Sequence, residues 1–210
     1  MKMNANAARP RAIRGIIAYR RGLYLTAERL ADAARRWGEP RRISLELAIG
    51  ERERDLVRGS RRDQRSHDVT LFIERAGLWA VIAKPQFPPG VWRAPSGGVH
   101  VDEDLEAGAL REALEETGLT VALQRYLLHI DARFAYRDEI EPWHSEVFLA
   151  PAVAGEIAPI DTHEISGARW MSRDELLGPV RERLLSSGRG LFAYRAALHD
   201  AAFEQLDRMR

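Results

Sequence analysis

Residues 97 to 119 constrain the fold more than any other part of the chain. Three glutamates in this segment are spaced as i, i+3 and i+4: Glu112, Glu115 and Glu116. Because a helix advances about 100° per residue, the three side chains share one face. Three apolar residues fall on the opposite face: Ala107, Leu110 and Leu114. The spacing predicts a helix that packs its apolar face into a core and concentrates negative charge on the other.

The residues that flank this helix suggest a ligand site. Gly97 and Gly98 predict a turn where backbone can approach a ligand closely, and Gly118 can cap the end of the helix. Glu103 precedes the helix, and Arg111 can pair with it and fix the loop against the helix.

Clustered carboxylates of this kind favour a divalent cation. Two such charges a few ångströms apart repel by about 1 kcal/mol in water and about 4 kcal/mol at a surface-like dielectric. A hard cation with oxygen ligands removes that repulsion, so we expect Mg²⁺ or Mn²⁺. A solvated acidic helix face is the alternative, since like charges at i, i+4 cost only about 0.2–0.5 kcal/mol. The flanking residues favour the metal site.

The segment resembles the Nudix box, G-x5-E-x7-R-E-U-x-E-E-x-G-U, where U is bulky or aliphatic. Every fixed position is matched: Gly97, Glu103, Arg111, Glu112, Glu115, Glu116 and Gly118, with Ala113 and Leu119 at the aliphatic positions. The resemblance covers residues 66 to 180. It implies an α/β fold, the Nudix α/β/α sandwich with a mixed β-sheet, and a hydrolase that cleaves a nucleoside diphosphate linked to another moiety.

The resemblance also implies a role for each residue. The box glutamates and the Gly97 carbonyl would hold the metal, which would neutralise a diphosphate and lower the pKa of a bound water. Glu164 stands six residues before Trp170, similar to the place of a further catalytic glutamate in Nudix hydrolases. Glu164, or one of the box glutamates, would take the proton, and a solvated loop glutamate is the alternative for Glu164. Arg111 and Glu103 would orient the ligands.

The substrate signals in the sequence conflict. Arg93 precedes the box and could hold a phosphate, or be an ordinary surface residue. Tyr136 lies 17 residues past Leu119, similar to a tyrosine that marks diadenosine polyphosphate hydrolases. The proline of many ADP-ribose pyrophosphatases is missing, since residues 134 and 135 are Phe and Ala. An alternating strand near the N-terminus is similar to the dimer-building strands of that same group. We therefore rank ADP-ribose or a nucleoside diphosphate sugar ahead of diadenosine polyphosphates and nucleoside triphosphates.

Patterning predicts a disordered tail at 1–10 and a basic N-terminal extension at 11–65, and the resemblance implies a Nudix hydrolase domain with a C-terminal helix at 66–210. In the extension, Thr26 can cap a helix that reaches Trp37, and Gly38 stops it. Apolar residues then alternate from Ile43 to Ile49, which predicts a strand that joins the main sheet or pairs across a dimer interface.

The core domain shows further periodic segments. Two strand-like runs, at 67–74 and 78–83, flank a Gly-containing turn. The segment from Asp174 to Arg208 reads as helix, with breaks expected at Gly178-Pro179 and around residues 186–190.

Charge and composition restrict the class of partner. Residues 1–66 hold 17 Lys+Arg against 8 Asp+Glu, and residues 67–210 hold 15 against 23. This asymmetry suggests nucleic-acid contact, steering of anionic substrates, or docking onto an acidic surface, and we favour docking between the subunits of a homodimer. The family resemblance implies a small nucleotide as substrate. Nucleic acid is less favoured, because clusters such as Arg41-Arg42 lack interleaved aromatic residues. A nucleotide-sensing regulator that binds DNA through the extension stays open, although it should have a degraded box.

The absence of cysteine excludes several chemistries. Disulfides, thiolate metal sites and cysteine nucleophiles are all ruled out. An isopentenyl diphosphate isomerase, which has a similar fold and relies on a catalytic cysteine, is ruled out with them. We find no signal-peptide pattern and no run of membrane-spanning length, so we expect a cytoplasmic location and no membrane partner.

Overall fold

Strands from before and after the acidic segment pair into one mixed sheet. The computed structural model describes residues 26–62, 67–100 and 103–209. The strands are β1 (Arg41–Ala48), β2 (His67–Arg75), β3 (Leu78–Ala83), β4 (Ser96–Val99), β5 (Thr120–Val121), β6 (Arg125–Tyr136), β7 (Glu139–Ala154) and β8 (Gly167–Met171). The helices are α1 (Ala27–Trp37), α2 (Glu51–Arg62), α3 (Leu105–Thr117), α4 (Arg173–Glu175), a π-helical turn (Leu176–Val180), α5 (Arg181–Ser186) and α6 (Gly190–Arg208).

The sheet runs in the order β1-β6-β7-β2-β3-β8, with β4 beside β2 and β5 beside β7. β1 is parallel to β6 and β2 is parallel to β7, while the other pairs are antiparallel. On the side away from β7, β2 has two partners, because residues 67–70 pair with β4 and residues 74–75 pair with β3. This division places β4 and the acidic helix that follows it beside the middle of the sheet.

Each face of the sheet packs on its own apolar core, because alternate strand residues point to opposite faces. On one face, side chains of β2 such as Leu71 pack with α3 and with α1, through Ala109 and Leu30. On the other face, Phe72 and Phe134 pack with α6, and α2 and α5 join that core through Val57 and Leu184. Helices therefore cover both faces, which confirms the predicted α/β/α sandwich with a mixed sheet.

The helix and strand expected near the N-terminus are present. The Thr26 hydroxyl accepts a hydrogen bond from the Arg29 N–H at 3.2 Å, and α1 ends at Gly38. Along β1, residues alternate between partly buried and exposed, and the strand pairs along its length with β6. Of the two arrangements left open for this strand, the structure therefore has the one within the main sheet. The tail expected at residues 1–10 lies outside the described residues.

Helix α3 is turned around relative to its predicted orientation. Ala107, Leu110 and Leu114, expected in the core, are exposed. The face that carries Glu112 and Glu116 is the buried one. The physical reason is size, because the small residues on the glutamate side let the helix approach β4 and β2 closely, and the buried carboxylates gain hydrogen-bond partners there.

Two further expectations of local structure were wrong. Gly97 and Gly98 form a strand, not a turn, and pair with Val69 and Asp68 of β2. The predicted helix break at Gly178-Pro179 is absent, because a π-helical turn holds Pro179 within the helical segment. Proline lacks an N–H, and the wider π turn accommodates the lost helical hydrogen bond. The break near residues 186–190 is present, between α5 and α6. Among the described residues, no helix is both long and apolar enough to cross a membrane.

Candidate functional site

Helix α3 is held at both ends, which sets the position of its acidic face. At its start the Asp104 carboxylate accepts a hydrogen bond from the Ala107 N–H at 2.8 Å. At its end Gly118 adopts a left-handed conformation with φ of 76°. A Cβ at this glycine would lie 2.4 Å from the carbonyl oxygen of Ala158, so the close approach also requires glycine.

Glu112 lies directly against the backbone of β4. A Cβ built on Gly97 would fall 1.8 Å from Cδ of Glu112 and about as close to both carboxylate oxygens. The absent side chain at Gly97 therefore makes the space that the buried Glu112 carboxylate occupies. This close approach explains why a glycine is required in a strand that needs no unusual backbone conformation.

Arg111 connects the loop, the strand and the acidic face. Its guanidinium donates to both oxygens of Glu103 at 2.9 Å and to the Gly98 carbonyl at 2.9 Å. It also donates to Glu112 at 2.8 Å and to Glu115 at 3.0 Å. The predicted pair of Arg111 with Glu103 is thus present. Partial burial alone would raise the pKa of Glu103, but the Arg111 donors hold that pKa below its ordinary value.

Glu116 is buried and surrounded by donors. One carboxylate oxygen accepts from the Ser96 N–H at 2.7 Å. The other lies 3.4 Å from Nη2 of Arg93 and 3.5 Å from Nζ of Lys84. Burial raises the pKa of Glu116 above its ordinary value, and the two cations and the backbone N–H work against that rise. Additional positive charge beside this carboxylate would therefore be favoured.

Lys84 is the site residue that sequence reasoning missed. It follows β3, and its ammonium also lies 2.7 Å from Oε2 of Glu164. The lysine thereby links Glu164, which is on a distant turn, to Glu116. One signal was available, because Lys84 is one of only two lysines in the chain, the other being Lys2.

The structure separates the two residues predicted to bind substrate. Arg93 is buried beside Glu116 and donates to the Ala94 carbonyl at 2.8 Å and to the Ser96 hydroxyl at 2.7 Å. Burial lowers its pKa, with Glu116 opposing the shift. Tyr136 is at the far end of β6, where its ring packs under the Arg54 guanidinium at 4.6 Å. Phosphate binding by Arg93 and substrate contact by Tyr136 both stay predictions.

A cleft of about 220 Å³ opens beside Gly97 and Gly98. Aromatic and basic side chains line it: Phe87, Phe134, Trp143, Phe192, Tyr194, Lys84, Arg93, Arg189 and Arg195. Leu56, Val57 and Ser60 of α2 add to one wall, and α6 forms another. Tyr136 is not among the lining residues. The cleft joins an apolar, aromatic chamber to the strand that underlies the carboxylates.

The donor set fits a hard divalent cation. Glu112, Glu115, Glu116 and the Gly97 carbonyl offer oxygen atoms alone, which Mg²⁺ and Mn²⁺ prefer. The space at Gly97 holds the Glu112 carboxylate, Arg111 donates to Glu115, and Lys84 pairs with Glu116. Glu115 has a side chain 44% exposed, so an ion can reach this face from solvent.

Several known proteins are similar in sequence to this chain. The sequence profile of the NUDIX domain matches residues 61–192. The chain is 34% identical over 121 residues to an RNA pyrophosphohydrolase of Caulobacter vibrioides, covering 51% of this chain and 70% of that protein. It is 31% identical over 111 residues to the NAD-capped RNA hydrolase NudC of Pseudomonas aeruginosa, covering 53% and 37%. A solved MutT NUDIX hydrolase from Burkholderia pseudomallei is 29% identical, with a TM-score of 0.42 and coverage of 52% of this chain and 84% of that one.

Proposed function

Because this chain belongs to the Nudix family of pyrophosphohydrolases, we propose that it cleaves the diphosphate linkage of a nucleoside diphosphate derivative by attack of water at phosphorus. The observation that carries the proposal is the placement of Glu112 against Gly97, with Arg111 bonded to both Glu112 and Glu115. This arrangement holds oxygen ligands against β4, and Gly97 and Gly98 of the same strand also line the cleft.

The side chains of the protein would bind the metal ion and orient its ligands. Glu112, Glu115, Glu116 and the Gly97 carbonyl would hold Mg²⁺ or Mn²⁺. Such an ion supplies charge neutralisation at the diphosphate and a water of lowered pKa. Arg111 donates to both Glu112 and Glu115 and, through Glu103, ties them to the loop. We expect Arg111 and Glu103 to position these ligands and not to touch the reacting atoms.

Glu164 is our candidate for the group that takes the proton from water. Its side chain is 51% exposed, and Lys84 holds it near Glu116 by ion pairs at 2.7 and 3.5 Å. A general base must lie within hydrogen-bond reach of the water it deprotonates. The proposal for Glu164 rests on this link through Lys84, and a box glutamate is the alternative.

The cleft walls support a nucleotide with a second moiety. Phe87 and Trp143 line the cleft and would stack on a base. Arg189 and Arg195, which pair with Glu53 and Asp68, bring positive charge that would meet phosphates. We propose ADP-ribose or a nucleoside diphosphate sugar as the first candidate substrate.

Two named relatives favour a second candidate, the 5′ end of RNA. They are the RNA pyrophosphohydrolase and the NAD-capped RNA hydrolase described above, each at more than 30% identity. An NAD cap contains the same diphosphate linkage as ADP-ribose, so one chemistry would serve both substrates.

A hydrolysis panel with Mg²⁺ or Mn²⁺ tests both candidates. It should offer ADP-ribose, nucleoside diphosphate sugars, diadenosine polyphosphates, nucleoside triphosphates, and RNA with 5′-triphosphate or NAD ends. Glu112→Gln removes a buried carboxylate of the site. Glu106→Gln is the matched control, because Glu106 is on the same helix and pairs with Arg36, away from the cleft. We expect turnover of one class, lost in Glu112→Gln on the order of 100-fold or more and kept in Glu106→Gln.

The panel also separates the other readings of the chain. Equal activity in the two variants would refute the metal role of Glu112. If no substrate is cleaved, the hydrolase proposal fails for these substrates, and DNA and nucleotide binding by the basic extension would be measured next.

The homodimer expected from the sequence also stays a proposal. β1 ends the sheet, and among the described residues no strand pairs with its outer side. An open strand edge can pair with a second copy. Light scattering coupled to size exclusion would show a mass near twice 23.8 kDa if the proposal holds, and a monomer mass if it does not.

A further inference from the structure

A second cluster of potential metal ligands lies across β6 and β7. His129 and Asp131 are two residues apart on β6, and His144 of β7 is paired with Asp131. The three side chains therefore project from the same face of the sheet. Trp143 and Ser145 point to the opposite face, where Ser145 accepts a hydrogen bond from Tyr194 of α6.

The separations within this cluster match those around one ion. Ligand atoms of the three residues all lie within 4.8 Å of one another. Asp131 Oδ1 is 2.8 Å from His144 Nδ1 and 3.5 Å from His129 Nε2. Around a tetrahedral Zn²⁺ with bonds of about 2.0–2.1 Å, neighbouring ligand atoms are about 3.3 Å apart. Small side-chain rotations would therefore bring the three atoms onto one ion.

A buried carboxylate already orients one of the ligands. Glu146 lies 2.9 Å from Nδ1 of His129 and also accepts a hydrogen bond from the Tyr126 hydroxyl. A neutral His129 that donates its Nδ1–H to Glu146 carries its lone pair on Nε2, the nitrogen that faces Asp131. Metal-binding histidines commonly have this carboxylate behind the ring, where it fixes the tautomer and raises ligand basicity.

Access and charge also suit a cation. His129 is nearly buried, whereas the side chains of His144 and Asp131 are 24% and 49% exposed. The cluster therefore has a rigid inner ligand and an open outer side. Asp131 and Glu146 contribute two negative charges. Arg42 of β1, which is opposite His129 in the strand register, contributes one positive charge. With both histidines neutral the local charge is still negative.

We propose that His129, Asp131 and His144 form a binding site for a late first-row divalent ion such as Zn²⁺, distinct from the metal site proposed for the glutamates. Two imidazoles and one carboxylate are ligands that favour Zn²⁺ over Mg²⁺. Three protein ligands leave one position for water or a substrate group. The three side chains are on the face of the sheet opposite Trp143 and Tyr194, which line the cleft. The site does not depend on which substrate the enzyme cleaves.

Equilibrium dialysis with Zn²⁺ in the presence of millimolar Mg²⁺ tests the proposal on the full chain. The test variants are Asp131→Asn and His144→Gln, and Glu146→Gln probes the orienting carboxylate. Asp138→Asn is the matched control, since Asp138 is an exposed carboxylate in the same hairpin. Glu112→Gln shows whether the glutamate site contributes, and circular dichroism checks the fold of every variant.

We expect one Zn²⁺ per chain in the wild type, Asp138→Asn and Glu112→Gln. Affinity should fall by at least 10-fold in Asp131→Asn and His144→Gln, and by about 10–100-fold in Glu146→Gln. Folded Asp131→Asn and His144→Gln proteins that bind Zn²⁺ as the wild type does would overturn the proposal. A wild type that binds no Zn²⁺ under these conditions would overturn it equally.

Discussion

Replacing Gly97 by alanine should inactivate the enzyme while leaving it folded. The added Cβ would lie 1.8 Å from Cδ of Glu112. Non-bonded carbon atoms prefer about 3.5–4.0 Å, so the carboxylate must retreat by about 2 Å. A displacement of about 1 Å can lower a rate about 100-fold, so we expect kcat/KM to fall by at least that factor, about 2.7 kcal/mol.

The cost to stability should be small, because the group that must move is the end of a flexible side chain. We expect a loss of about 1 kcal/mol, which lowers Tm by about 2–4 °C for a chain of this size. Gly118→Ala should behave differently. There the new Cβ meets backbone, at 2.4 Å from the Ala158 oxygen, and the positive φ adds strain. A loss of about 3 kcal/mol would lower Tm by about 6–12 °C.

Three measurements test this reasoning: kcat/KM on the substrate found in the panel, Mn²⁺ affinity by electron paramagnetic resonance, and Tm by calorimetry. Gly178→Ala is the matched control, since nothing lies within 4 Å of the added methyl group. If Gly97→Ala retains wild-type kcat/KM and Mn²⁺ affinity, the position of Glu112 against β4 is irrelevant to function. A Gly97→Ala protein that fails to fold would show that the carboxylate cannot move away.

Three further predictions concern single side chains. Glu53→Ala should lower Tm by about 6–12 °C, because it removes the buried acceptor of the Leu191 N–H (2.9 Å) and two other N–H groups; Glu53→Gln should recover part of the loss in calorimetry. Arg111→Lys should lower kcat/KM by about 10–100-fold with unchanged circular dichroism, because an ammonium cannot reproduce the paired donors that hold Glu103. Burial lowers the pKa of His199 to about 3, whereas an unfolded histidine titrates near 6.5. Below pH 6.5 the unfolded chain therefore binds a proton that the folded chain does not, and the free energy of unfolding should fall by up to about 1.4 kcal/mol per pH unit. Urea unfolding of His199→Gln should show a flatter slope from pH 6 to 4.

The outcomes that contradict these predictions are equally specific. An unchanged Tm in Glu53→Ala would mean that water replaces the carboxylate. Full activity in Arg111→Lys would show that Arg111 contributes its positive charge and not its paired donors. An identical pH slope in wild type and His199→Gln would show that other groups carry the pH dependence.

Local signals in the sequence predicted the elements whose causes are themselves local. Thr26 and Gly38 mark the two ends of α1, and both were predictable because caps act on neighbouring N–H and C=O groups. The alternation from Ile43 to Ile49 predicted β1 because its period depends on the strand alone. The spacing of the box residues likewise predicted the pair of Arg111 with Glu103.

Features that depend on distant contacts were not predictable in this way. Leu110 and Leu114 are more hydrophobic than alanine and glycine, so the hydrophobic pattern predicted that the wrong face of α3 is buried. The observed orientation depends on how closely β4 approaches α3, and the sequence of the helix alone does not carry that information. Lys84 meets Glu164 across 80 positions of sequence, and the cleft walls come from segments far apart in the chain. The arginine- and glutamate-rich α2 carries too weak an apolar pattern to have been predicted.

Part of the cleft wall comes from outside the segment that matches the family profile. Leu56 and Val57 precede the part of the chain that matches the family profile, and Tyr194 and Arg195 follow it. Mutations in these terminal segments can thus reshape what the cleft accepts while the helix that carries the carboxylates stays as it is. Glu53 joins α2 to the start of α6. A substitution that moves one of these segments should therefore displace the other, so substrate preference should respond to changes at either one.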